Sequence, residues 1–302
     1  MIDNKINFSS KFKMFNIFSL IAFFASILFI TFKGLNYGID FKGGTLIELR
    51  TNNNVSTAEI RSSLNSMNLG DVNVKEFGKK GDFLIKVEQK LENNNKLIPE
   101  IKKNLINNLN SEINFRRVEN VGPKVSSELL KSGIIAISLS LAAMLFYIWV
   151  RFEWQFSIGS IVALFHDVVI TIGIFSILSL EINLSIIAAV LTIVGYSMND
   201  TVVIYDRIRE NLNKYTTLNI REISDLSINE TLSRTIITSL TTLLALISIY
   251  ILGGEILRGF SFAMILGVIV GTYSSIFVAA PVLKFFKVSY KTLEKKEEKI
   301  VP

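Results

Sequence analysis

Six apolar runs, each long enough to cross a lipid bilayer, constrain this chain more than any other feature. A helix rises ~1.5 Å per residue, so ~20 residues span a ~30 Å hydrocarbon core. Runs of that length lie near residues 14–32, 132–150, 156–178, 184–205, 235–252 and 260–283. They predict a polytopic α-helical membrane protein with six transmembrane helices. Composition agrees: half of the 302 residues are hydrophobic, Phe outnumbers Trp 22 to 2, and mean hydropathy is +0.44, too oily for an ordinary soluble domain. The first run follows Lys5, Lys11 and Lys13 as a signal peptide would, but "ITFKGL" offers no small-residue cleavage site and five more runs follow, so it reads as a retained helix.

The net charge of +6 is not a nucleic-acid signal, because the cations gather at the ends of apolar runs and in the tail "KFFKVSYKTLEKKEEK" instead of forming one aromatic-interleaved patch. That distribution sets membrane orientation. The N-terminus, the turn at Arg151, the 206–234 loop with Arg207, Arg209, Lys214, Arg221 and Arg234, and the C-terminal tail are basic, whereas the turn at "SLEINL" has no Lys or Arg. Both termini are therefore expected in the cytoplasm. The absence of Cys excludes disulfides, thiolate metal sites and Cys nucleophiles.

Between the first and second runs the pattern changes to short alternating units, which predicts a folded extramembrane domain on the far side of the membrane. "IDFKGGTLIELR" reads as a strand and "STAEIRSSLNSM" as a helix with Ser56 and Glu59 in capping-box spacing. "DVNVKEF" and "DFLIKVEQ" read as strands around a "GKKGD" turn, followed by a helix at "KLIPEIKKNLINNL" and a strand at "INFRRVENV". The order βαββαβ is that of an α+β ferredoxin-like domain. Gly43 and Gly44 inside a strand pattern predict a bulge or a close backbone approach. The organisation expected is residues 1–33 as cytoplasmic N-terminus and helix 1, 34–125 as the outer domain, 126–287 as helices 2–6 with the cytoplasmic loop 206–234, and 288–302 as a basic cytoplasmic tail.

Ionisable residues inside the spans are the candidate functional residues, because a charge at such depth costs at least ~2.5–3.5 kcal/mol and must face the bundle interior or a wet cavity. Asp200, with Asn199 beside it, lies ~6 residues, or ~9 Å, from the cytoplasmic end of span four. Asp167 lies near the midplane of span three with His166 as its neighbour. Arg234 opens span five from the cytoplasmic side, where its guanidinium could reach Asp200 if spans four and five touch. Plainer roles stand beside these: Asp, Asn and His can hydrogen-bond helices together, Arg234 can anchor an interface, and Gly267 with Gly271 reads as close helix packing.

There is no phosphate-binding P-loop, H-E-x-x-H zinc motif or G-x-S-x-G nucleophile elbow, so no cofactor, metal or enzymatic activity is signalled. Buried carboxylates without a nucleotide site point to an ion gradient, in which one charge crossing ~100 mV yields about 2.3 kcal/mol.

"GIDFKGGTLIELR", "VENVGPKVSSELL", "ALFHDVVITIG", "VGYSMNDTVVIYDRIREN" and "NETLSRTIITSLTT", in that order, resemble the successive motifs of the SecD/SecF family of protein-export membrane proteins over nearly the whole chain. The resemblance implies a bacterial inner-membrane subunit of the SecF kind, similar to half of a resistance-nodulation-division (RND) transporter, with its ferredoxin-like domain in the periplasm. It implies a SecD-like partner in a heterodimer, the SecYEG channel and translocating preprotein as further partners, and use of the proton-motive force in late steps of export. By motif position it implies a proton-pathway role for Asp200 and Arg234, with His166 and Asp167 in a further family motif, and Asp167, His166 and Asn199 are candidates for the same proton pathway. Two other functions fit the residues: a half-length RND-type solute or lipid exporter, and a non-transporting structural assembly subunit. A small outer domain leaves little room for the large pocket a solute pump needs, and titration of the carboxylate in the working complex separates both transport readings from assembly.

Overall fold

The computed structural model describes residues 6–51, 55–67, 69–70, 72–76, 78–87, 94–109 and 112–297, apart from the side chains at 94–97, 123, 255–256 and 294–297. Asp71, Phe77, Glu88 and Gln89 of the expected strands, and residues 298–302 of the expected tail, lie outside the described residues. In chain order the elements are α1 (Phe12–Phe32), β1 (Asn36–Tyr37), α2 (Ile39–Lys42), β2 (Gly44–Thr51), α3 (Thr57–Asn65), β3 (Val72–Glu76), β4 (Asp82–Val87), α4 (Asn94–Leu109) and β5 (Ile113–Val121). They continue with α5 (Pro123–Arg151), α6 (Trp154–Ile177), β6 (Glu181–Ile182), α7 (Leu184–Lys214), α8 (Ile220–Leu252), α9 (Gly254–Ser274), a π-helical turn (Ser275–Ala279), α10 (Ala280–Phe285) and α11 (Tyr290–Glu297). The chain divides into two compact units: Met1–Asn36, Ile135–Leu180 and Ser185–Pro302 form one, and Tyr37–Ile134 with Glu181–Leu184 form the other.

The second unit is built on a four-stranded antiparallel sheet in the order β3-β4-β2-β5. Alternation along each strand turns Ile47, Leu49, Phe83, Ile85 and Val87 into the core, where Ile60 and Leu64 of α3 and Ile101 and Leu105 of α4 cover them. Ser56 and Glu59 form the expected capping box at the start of α3. The expected strand across "IDFKGGTLIELR" is corrected: Ile39–Lys42 is one helical turn, and the strand begins at Gly44. The glycine pair forces this break. Gly43 has φ of 80° and Gly44 of 137°, and a Cβ on Gly44 would stand 2.6 Å from the Val87 carbonyl oxygen. The close approach thus falls at Gly44, while the sheet irregularity lies further on, between Glu48 and Leu49. A partly buried ion pair fastens β2 to β4: Arg50 donates from Nε and from a terminal nitrogen to the two Asp82 oxygens, 2.5 Å each, and Arg116 of β5 lies 3.5 Å from the same carboxylate. That fork holds the Asp82 carboxyl below the usual carboxylate range, against the opposing effect of burial.

Among the described residues six helices are long and apolar enough to cross a membrane. Half of the apolar stretch of α6, of α7 and of Leu257–Phe285 is buried, against 11% in α1 and α5 and 17% in α8. Helices α6, α7 and α9 therefore form the centre of this unit and the others sheathe it. Gly267 and Gly271 explain how closely α9 meets α7: a Cβ on Gly267 would collide with the Ile193 side chain, and one on Gly271 would stand 2.9 Å from the Ser197 Cβ.

The expected loop over 206–234 is also corrected. Helix α7 continues to Lys214 and α8 starts at Ile220, so the segment is a helical hairpin with a turn of a few residues. A capping box of Asn219 and Glu222 starts α8, and Glu230 accepts hydrogen bonds from Arg207 (2.7 Å) and Asn211 (2.7 Å) across the hairpin. Polar stretches that read as loop are helices supporting each other through charge pairs. The N-terminal strap rests on the same hairpin: Ser9 donates from its amide and hydroxyl to Asp225 (2.7 and 2.6 Å), and the Ile6 amide donates to Asn229 (2.9 Å).

Candidate functional site

Helix α6 carries His166 and Asp167 into the centre of the bundle, where Asp167 is fully buried and His166 is 5% exposed. Three side chains from three helices converge on the Asp167 carboxylate. His166 Nδ1 lies 2.9 Å from Oδ1, while Ser197 of α7 and Ser274 of α9 donate to Oδ2 at 2.5 and 2.7 Å. The His166 ring also stacks on Tyr273, whose hydroxyl reaches Ser19 (2.8 Å) and donates to the Phe15 carbonyl (2.8 Å), both on α1. His166 Nε2 is buried without a hydrogen-bond partner.

Consecutive residues at the junction of α9 and the π-helical turn serve different partners. Ser274 bonds Asp167, while Ser275 Oγ lies 2.8 Å from Thr201 Oγ1. One turn on, the buried Tyr205 hydroxyl donates to the Ala279 carbonyl at 2.9 Å, above a Gly159 that leaves it room. An i→i+5 turn offsets the backbone by one residue, a device found most often at functional sites. Ser197, Thr201 and Tyr205, four residues apart, thus form one stripe of α7 facing α6 and the π turn.

Asp200 lies on another stripe and has sparser company. It is 3% exposed, and Thr272 Oγ1 donates to its Oδ2 at 3.3 Å, with Ser239 of α8 2.7 Å behind Thr272. The expected direct contact with Arg234 is not formed: among the described residues no ion pair within 4.0 Å joins them. Arg234 does not open its helix either but sits well inside the 33-residue α8. It lines, together with Asn199, a cavity of about 900 Å³ bounded by α5, α7 and α8. The other cavity arginines have carboxylate partners: Arg151 with Asp206 (2.9 Å), Arg207 with Glu210 (2.6 Å) and Glu230 (2.7 Å), and Arg209 with Glu153 (3.4 Å).

The expected residues therefore form two places: His166 with Asp167 in a closely bonded cluster, and Asp200 with sparser partners, with Asn199 and Arg234 on the cavity side. Sequence reasoning missed Ser197, Ser239, Thr272, Tyr273 and Ser274. The run "GTYSS" at 271–275, five small or polar residues inside an apolar span, was the available signal.

Residues 101–289 match the family model for the protein export membrane protein SecD/SecF C-terminal region, and residues 28–55 match the SecD/SecF GG motif. The chain is 47% identical over 289 residues to a protein translocase subunit SecF of Rickettsia bellii, covering 95% of each. It is 46% identical over 301 residues to that of Rickettsia rickettsii, covering 98% of each. The chain belongs to the SecD/SecF family. Its structure follows the same assignment: it superposes on crystalline SecDF, a translocon-associated membrane protein from Thermus thermophilus, with a TM-score of 0.86 and 36% identity over 95% of this chain. Against SecDF in its super-membrane-facing form the TM-score is 0.71 with 35% identity over 99% of the chain. The chain spans only 39% and 40% of those two longer proteins. Within the SecD/SecF family match, the GG-motif region includes Gly43 and Gly44, and the C-terminal region includes His166, Asp167, Asn199, Asp200 and Arg234.

Proposed function

We propose that this multi-pass membrane protein acts in the bacterial inner membrane beside a SecD-like subunit and the SecYEG channel, and uses the proton-motive force to drive late steps of preprotein export. Both termini lie in the cytoplasm, and the domain over 34–125 lies in the periplasm. That domain is ferredoxin-like, a reading supported by its βαββαβ order and the β3-β4-β2-β5 sheet. Asp200 carries the proton, Arg234 biases its charge from the cavity wall, and Asp167 with His166 holds α6, α7 and α9 in register around it.

The observation that carries this reading is the state of Asp200: a carboxylate 3% exposed within an apolar helix, with a long hydroxyl bond from Thr272 and, among the described residues, no ion pair within 4.0 Å. A carboxylate kept only to tie helices together would be expected to have close partners, since each bond to a charged group is worth ~1.5–3 kcal/mol. Its neighbour Asn199 reaches the cavity, which offers a route for protons from one side.

Asp200→Asn tests the proposal, because it keeps size and hydrogen bonding while removing ionisation. In inner-membrane vesicles the variant is expected to insert, to copurify with its partner and to support ATP-driven early insertion. Its gradient-stimulated export should be lost almost completely. Wild-type export at equal abundance would refute the proposal.

A further inference from the structure

Asp40 stands inside the GG-motif region, three residues before the glycine pair, and the proton-handling reading gives it no task. Its surroundings do. The turn Glu181–Leu184 lies between α6 and α7 in sequence, yet it belongs to the sheet-bearing unit. Three contacts hold it there. The Gly38 amide donates to the Ile182 carbonyl at 2.9 Å, the Leu184 amide donates to Asp40 Oδ2 at 2.8 Å, and Lys86 of β4 forms an ion pair with Glu181.

The geometry of each contact traces back to the motif. The turn packs tightly on Gly38, where a Cβ would stand 2.5 Å from Glu181 Oε1 and 3.2 Å from the Asn183 Cβ. Gly44 lets β2 start against the end of β4, with Thr45 opposite Val87 and Leu46 opposite Lys86, which fixes Lys86 where Glu181 arrives. Leu184 is the first residue of α7, so its amide is one of the donors left open at a helix start, and a carboxylate there is favoured by both the hydrogen bond and the helix dipole. Helix α7 then runs unbroken past Asp200 to Lys214.

We propose that Asp40 and Lys86 are positioning residues for the Asp200 helix. They fix the first turn of α7 to the sheet-bearing unit, so that displacement of that unit is delivered along the helix that bears Asp200, and protonation of Asp200 is delivered the other way. A continuous helix suits this because its axial hydrogen bonds make it a stiff element between its ends. The proposal rests on the proton-coupled reading above.

The test uses the full chain in membranes with its partner. Asp40→Ala removes the acceptor, whereas Asp40→Asn keeps one. Asp40→Ala should speed amide exchange at 184–186 and lower gradient-stimulated export about tenfold at unchanged abundance, and Asp40→Asn should stay near wild type. Lys86→Glu should also lower gradient-stimulated export, and the swap Lys86→Glu with Glu181→Lys should restore it to within about twofold. ATP-driven early insertion should be unmoved in all of them. If Asp40→Ala exchanges faster yet exports like wild type while Asp200→Asn is inactive, the joint is refuted and the proton reading stands. Should Asp40→Ala fail to accumulate, the swap decides alone, and absence of rescue overturns the joint. Normal export by Asp200→Asn would overturn the reading on which the joint rests, an outcome read independently of any change at Asp40.

Discussion

Asp167 and Asp200 lie in one bundle, on helices that bond to each other, and both are more than nine-tenths buried. Asp167 has a ring nitrogen and two hydroxyls within 2.9 Å, contributed by three helices. Among the described residues the hydrogen bond to Asp200 is a longer one, from Thr272 at 3.3 Å, and its chain neighbour Asn199 faces an open cavity. Burial alone therefore does not define a working carboxylate. A group gripped by three close partners holds its neighbours in place and resists change, because changing its charge would disturb several oriented groups at once. A group with loose company can change its proton with little rearrangement.

The largest effect should come from removing the more closely held member. Asp167→Ala strands His166, Ser197 and Ser274 without their shared partner, and each buried polar group left unsatisfied costs ~1–3 kcal/mol. Membrane abundance and detergent-resistant melting should both fall sharply. A stable, abundant Asp167→Ala protein would break the contrast. A smaller effect is expected outside the bundle, where Asp82 is another carboxylate with a close partner, the Arg50 fork. Its folded pKa lies below the unfolded one, so its contribution is present above the usual carboxylate pKa of ~3.9 and is lost as pH falls through the folded value. Asp82→Asn should cost ~1–3 kcal/mol at neutral pH and flatten the acid dependence of protease resistance in the sheet-bearing unit of the full chain. An unchanged acid profile would remove Asp82 as its origin. The smallest effect on folding should come from Arg234→Lys, which keeps the charge on the cavity wall. We expect normal abundance and a few-fold loss of gradient-stimulated export, because the guanidinium makes no fork with Asp200 for Lys to lose. Complete loss would instead indicate a bidentate pair formed in another state of the cycle.

How much of this was legible beforehand follows from what each residue type can signal. Asp200 and Asp167 stand out in a sequence because a carboxylate inside an apolar span is expensive wherever it points. Ser197, Ser239, Thr272 and Ser274 do not, because hydroxyls in spans commonly bond the carbonyl four residues back, as Thr192 does to Ala188 and Ser160 does to Phe156. Only the fold separates those from the hydroxyls that reach a carboxylate. The π turn at Ser275–Ala279 leaves no mark in periodicity, yet it sets the register of the residues that follow it, among them Ala279, whose carbonyl accepts from Tyr205. The hairpin over 206–234 reads as loop because its charged residues dominate the stretch, although Ile208, Leu212, Ile223 and Ile228 keep one apolar face buried in the core and ion pairs join the outer faces. The turn at Ile39–Lys42 was absorbed into a strand because four residues are too few to show a period, although Gly43 and Gly44 marked the place where the backbone changes direction.

One comparison tests the central claim most directly: gradient-stimulated preprotein export by Asp167→Asn and Asp200→Asn, measured side by side in the same vesicles at matched abundance. Each substitution keeps side-chain size and removes one ionisable group. The account predicts that Asp167→Asn retains most of the activity, since Asn can still accept from Ser197 and Ser274, while Asp200→Asn retains almost none. Equal loss in both, or an active Asp200→Asn beside an inactive Asp167→Asn, would contradict it.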